Sequence, residues 1–169
     1  GGLLFGFLRR GEWDSALATA DQIEAAIGKS QPFPIYVLPT YSALVDLYYS
    51  LLKHGVTPGS STTESLKSRL KNMRRRLALF SLMNPIAKPL KCLADGYAHL
   101  LAGRASKAGR SFRKGLAAAE RYQMPYFSGR LTHELAPLAA TPAESEELTQ
   151  IAVSRLTSLG IENPDVVCP

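Results

Sequence analysis

Three histidines, His54, His99 and His133, and two cysteines, Cys92 and Cys168, are the side chains of this sequence best suited to hold a metal or attack a substrate. Their spacing assembles no site. No two histidines stand four apart on one helix, the arrangement that turns two imidazoles toward a zinc ion. Two cysteines alone make neither a disulfide framework nor a zinc site. A Gly-x-Ser-x-Gly elbow is absent, and the glycines of 1–6 and 55–59 follow no strand, as a dinucleotide loop requires. Each histidine reads as a packed or surface residue, Cys92 as a reduced core thiol on an apolar helix, and Cys168 as part of a Pro-ended tail. Neither catalysis, nor a cofactor, nor a metal is expected.

The chemistry that does stand out is charge. Residues 61–115 hold 13 lysines and arginines against two acids, Glu64 and Asp95, a net +11, and the rest of the chain is net −5. An anionic partner should therefore meet the middle of the chain. Lys67, Arg69, Lys71, Arg74, Arg75 and Arg76 form one cluster; Arg104, Lys107, Arg110, Arg113 and Lys114 form a second. In the first, Lys67, Lys71 and Arg74 fall on one flank of an apolar stripe, Arg69 and Arg76 on the other, and Arg75 outermost. The candidate anion- or partner-binding residues are Lys67, Arg69, Lys71, Arg74, Arg75, Arg76, Arg110 and Lys114. A solvated face whose long stems cover apolar neighbours is the plainer reading of such a cluster. A calmodulin-target-like helix is a further one, provided the apolar stripe is free. Phe112 reads as core, so base stacking gains no support from it. Tyr36, Tyr41, Tyr48 and Tyr49 gather on or beside one helix; Tyr41 and Tyr48 share its apolar stripe and read as packing, with Tyr49 at an edge.

The elements that must carry these residues are helices. Leu66, Leu70, Met73, Leu77 and Phe80 recur at helical spacing, as do Ala16–Ala20–Ile23–Ile27, the run from Tyr41 to Leu52, and the run from Leu148 to Leu159. No stretch alternates with period two. Gly11, Gly55 and Gly103 each follow an apolar helix and stop it as a left-handed cap would. Ser61 with Glu64 has the spacing of a capping box. The spacing predicts eight helices: 3–10, 13–27, 35–54, 62–83, 86–102, 106–122, 126–138 and 142–159. The most apolar stretch, 35–52, contains Asp46 and Pro39 and is short of the roughly 20 apolar residues of a bilayer span. Nearly half the residues are hydrophobic but only 8% aromatic, a balance that suits closely packed helices in one domain over 1–169. The reduced cysteines suggest a cytoplasmic setting. With neither a basic leader nor an initiating Met, the sequence reads as a fragment of a longer chain.

The stop glycines lie 44 and 48 residues apart, so a helix–Gly–helix unit recurs. Its sharpest copy runs from Gly96 through Gly103 and Ala108 to Phe112 and Gly115. Small residues at Gly96, Ala108 and Gly115 would let two antiparallel helices approach, with Phe112 filling the space between them. This copy, with Gly11-Glu12-Trp13-Asp14-Ser15-Ala16, resembles the tetratricopeptide pattern. The stretch from Gly103 to Ala119, then Tyr122-Gln123-Met124-Pro125-Tyr126, then 131–138 and a last helix to Gly160, looks like the repeat tail of large signalling ATPases, of class III nucleotide cyclases and of MalT-like regulators. The resemblance implies an all-α, short right-handed solenoid of antiparallel helix pairs. It implies an accessory, non-catalytic interaction or scaffolding module whose partner is another protein or a neighbouring domain. A ligand-sensing repeat domain and a nucleic-acid-binding repeat using the basic middle are the alternatives. No Gly-x-x-x-x-Gly-Lys-Ser/Thr loop and no cyclase-like carboxylate pair is present, so no catalytic residue carries over.

Overall fold

A computed structural model describes residues 2–28 and 37–161, the side chains of Phe5 and Arg9 excepted. Ile35, Tyr36 and Cys168 lie outside the described residues. Within them the chain is all-helical, without a strand: α1 (Gly2–Arg10), α2 (Trp13–Gly28), α3 (Leu38–His54), α4 (Thr63–Met83), α5 (Lys88–Leu101), α6 (Ala105–Arg121), α7 (Pro125–Leu135) and α8 (Pro142–Thr157). Short 3₁₀ turns at Pro85–Ala87 and Ala136–Leu138 lead into α5 and out of α7. No described helix is long and apolar enough to cross a membrane.

The residues fall into two compact units, 1–76 and 77–169. In the first, α1, α2 and α3 pack on one another. Nearly all of α3 is buried, on every side, from Tyr41 to Leu51. Tyr41 and Tyr48 are core residues, and Tyr49, expected at an edge, is buried too, its ring covered by the Lys53 ammonium at 5.7 Å. α3 ends where Gly55 takes a left-handed conformation, φ 66°, and donates its N–H to the Leu51 carbonyl; a side chain there would meet its own backbone.

In the second unit, α5, α6, α7 and α8 pack in chain order. Gly103, at φ 68°, turns the chain between α5 and α6. These two helices run antiparallel, since the small residues pair in reverse order: Gly96 faces Phe112, and Gly115 faces Cys92.

The start of α4 differs in detail from the sequence reading. The reciprocal cap is Thr62 with Ser65, not Ser61 with Glu64. The Ser65 N–H donates to Thr62 Oγ1 at 3.1 Å, and the Thr62 N–H donates to Ser65 Oγ at 3.0 Å. Glu64 instead accepts from the Lys67 ammonium at 2.8 Å. Both frames place a hydroxyl ahead of the helix, and only the backbone path selects between them. At α8, Thr141 and Glu144 do close a box. The Glu144 N–H donates to Thr141 Oγ1 at 3.1 Å, and Glu144 Oε2 accepts from the Ala140 N–H at 2.9 Å.

Candidate interaction surfaces

The apolar stripe of α4, from Leu66 to Phe80, is buried throughout, so a calmodulin-like partner finds no free apolar face there. The cations around it separate into two groups. Arg69 is taken up internally. Its Nη2 donates to Asp21 Oδ1 at 2.5 Å and to Glu24 Oε2 at 2.8 Å, its Nε reaches the same Glu24 oxygen at 3.1 Å, and its guanidinium lies 5.0 Å over the Tyr48 ring. Burial pulls the Arg69 pKa down, but Tyr48, Glu24 and Asp21 more than offset this, leaving it raised. Burial likewise pushes the Tyr48 hydroxyl up; Glu24 adds to this and Arg69 opposes it. Arg76 turns its guanidinium toward the Tyr41 hydroxyl and, with Asn72 and Arg69, lines an open recess of about 400 Å³ against α2. The two carboxylates of that recess are already bound by Arg69. Lys67 is exposed but paired with Glu64, Arg74 is half-buried, and Lys71 and Arg75 project into solvent.

The packing residues of the second unit meet tightly. Gly96, Ala108, Phe112 and Gly115 are all buried, whereas Gly103 is exposed at the turn. The Phe112 ring occupies the space a Cβ at Gly96 would need and meets the Tyr97 ring edge-on, centroids 6.0 Å apart. A Cβ on Gly115 would stand 2.8 Å from that of Cys92. Burial pushes the Cys92 thiol pKa up, so it is a packing group rather than a reactive thiolate.

Beneath this lies a polar network that the sequence reading missed. The Tyr97 hydroxyl donates to Glu134 Oε1 at 2.9 Å and accepts from Arg130 Nη2 at 3.0 Å. Arg130 is fully buried, its guanidinium 5.7 Å from the centre of the Tyr126 ring. Next to it, Arg155 of α8 donates to Ser128 Oγ at 2.5 Å and to Glu120 Oε1 at 3.2 Å, joining α8 to α7 and α6. The available signal was Tyr126, Arg130 and Glu134 at successive four-residue steps, a polar stripe on the face that α7 turns inward.

Two surfaces remain open. On α6 and at the residue that precedes it, Arg104, Lys107, Arg110, Arg113 and Lys114 are exposed and make no side-chain ion pair among the described residues. Lys107, Arg110 and Lys114 line the side opposite Ala108, Phe112 and Gly115. The one acid of α6, Glu120, is held by Arg155. At the end of α4 and in the turn after it, Leu79, Leu82, Met83 and Ile86 are 62, 79, 63 and 39% exposed. Their spacing of three, four and seven puts the first three on one face of the helix. The sequence held this signal as apolar residues left over once the buried stripe had been assigned.

The His54 ring lies 6.4 Å from that of Trp13, tilted by 38°, while His99 and His133 are half-buried on other helices. Among the described residues no cluster of histidine, cysteine and acidic side chains could hold a metal. No protein-family model matches the chain, and neither curated proteins nor solved structures give a match.

Proposed function

We propose that this chain is a non-catalytic, tetratricopeptide-like module that binds a partner protein or a neighbouring domain, as an accessory part of a larger signalling protein. The solenoid arrangement and the signalling context rest on the resemblance of Gly96, Gly103, Ala108, Phe112 and Gly115 to the repeat pattern. The antiparallel α5–α6 pair, with its small residues at the closest approach, supports that resemblance.

One observation carries the binding role. Leu79, Leu82 and Met83 hold large apolar side chains in water at the end of a helix whose own apolar stripe is already buried. Contiguous exposed apolar residues mark interaction sites more often than isolated ones do, and a row at helical spacing suits an apolar ridge on a partner helix. Site-specific photocrosslinking tests this. A photoreactive residue at Leu82 in the natural full-length protein should give one saturable protein adduct, to another chain or to a distant part of the same one. Met83→Glu should abolish it. No adduct beyond that seen from exposed Ser154 would retire the reading.

A further inference from the structure

The cationic face of α6 lies on a different helix from that apolar row and does not depend on it. We propose that Lys107, Arg110 and Lys114, with Arg104 and Arg113 beside them, form a docking ridge for the sugar–phosphate backbone of double-stranded nucleic acid.

All five side chains are exposed and make no ion pair among the described residues, and the helix's single acid is bridged by Arg155. The field in front of α6 is therefore of one sign. Such a surface arises at a cost, because like charges one turn apart destabilise a helix. A bound polyanion removes that repulsion.

The face also lacks what other anionic partners need. Between its cations the outward residues are small, Ala105, Ser106 and Ala117. A protein interface has an apolar or aromatic core, and none is available here. An amphipathic membrane contact needs large apolar side chains to enter the acyl boundary, and α6 has none on this side. Single-strand binders stack bases on exposed aromatic rings; Phe112, the only aromatic residue of α6, is buried in the packed face. What remains is charge at regular intervals. Lys107 and Lys114 are seven residues apart, about 10.5 Å along a helix, a length over which one strand of a duplex advances by about three phosphates, each rising about 3.4 Å along the duplex axis. Contact of this kind fixes position and carries no base information, so binding should be independent of sequence.

Fluorescence polarisation with a labelled 20-base-pair DNA of random sequence tests the inference on the complete chain. If about four phosphates are neutralised, affinity should fall on the order of 100-fold between 50 and 200 mM salt. Lys107→Gln with Arg110→Gln and Lys114→Gln should reduce that fall to a few-fold, with the circular dichroism spectrum unchanged. Should the triple variant lose helicity, Arg110→Ala and Lys114→Ala singly provide the same measurement, each lowering the log–log salt slope by about one. A slope unaltered in these variants overturns the proposal. So does tighter binding, at equal salt, of a poly-glutamate peptide or of phosphatidylserine vesicles, which would assign the ridge to an acidic protein or to a membrane surface. Neither result bears on crosslinking from Leu82, so the two proposals stand or fall separately.

Discussion

Gly96 of α5 and Phe112 of α6 share one space: a Cβ built on the glycine would fall within the phenylalanine ring. This contact sets how closely the two helices approach. In an exposed helix interior, Gly→Ala stabilises by about 1 kcal/mol. Here overpacking costs about 1–3 kcal/mol, so Gly96→Ala should lower the thermal midpoint. Phe112→Leu, destabilising alone, should recover part of that loss when the two are combined. Strictly additive losses in the double-mutant cycle would show that the two residues do not compete for this space.

Ala108 lies on the same packed face of α6 and is fully buried. Ala108→Leu should destabilise by about 1–3 kcal/mol, while Ala117→Leu, on the outward face, should stay within about 0.5 kcal/mol of the parent. Equal thermal midpoints for the two variants would mean that α6 packs through a different face.

Arg69 and Arg75 sit on one helix in opposite circumstances. Arg69→Ala loses two partly exposed carboxylate pairs, each worth about 0.2–1 kcal/mol, and a contact with the Tyr48 ring worth about 0.5–2 kcal/mol. Urea denaturation followed through Trp13, the single tryptophan, should register a loss of about 1–2 kcal/mol, while Arg75→Ala should leave the midpoint unmoved. Equal effects would contradict the placement of Arg69.

Alkaline stability should depend on Tyr48. Its ordinary pKa of 10.0 is raised in the folded chain, chiefly by burial, so the folded state holds the proton that the unfolded state releases first. The resulting stabilisation is complete below about pH 10 and declines as pH rises through and beyond that value. Burial acts on Tyr41 in the same sense, against the opposing Arg76 charge. Tyr48→Phe should flatten the fall in the urea midpoint between pH 9 and 11. Parallel curves for the parent and the variant would assign alkaline unfolding to other groups.

The buried network of α7 gives a sharper contrast. Arg130→Ala leaves the Tyr97 hydroxyl, which also bonds Glu134, without the guanidinium and should cost about 3–5 kcal/mol. Arg130→Met with Glu134→Leu removes both charges and should recover most of that loss, as read by thermal denaturation. A double variant no more stable than Arg130→Ala would mean that packing, rather than charge balance, governs the site.

The helices themselves were legible because their causes are local. The stripe from Leu66 to Phe80 and the stop glycines at 55 and 103 act within a few residues of themselves, so period and punctuation in the sequence locate eight helices to within about three residues. The burial of Tyr41 and Tyr48 follows from the same period. Which polar side chains meet one another depends on segments far apart in the chain, and there the sequence is silent. Arg69 and Lys71 look alike in sequence, yet Arg69 is drawn inward because α2 brings Asp21 and Glu24, 48 and 45 residues earlier, within hydrogen-bonding reach. Arg130 looks like a surface arginine until the Tyr97 hydroxyl, itself bonded to Glu134, is placed against it. Leu79, Leu82 and Met83 look like spare core until no described neighbour covers them. Local periodicity determines the helices; the long-range packing of one helix on another decides which charges are neutralised and which stay exposed.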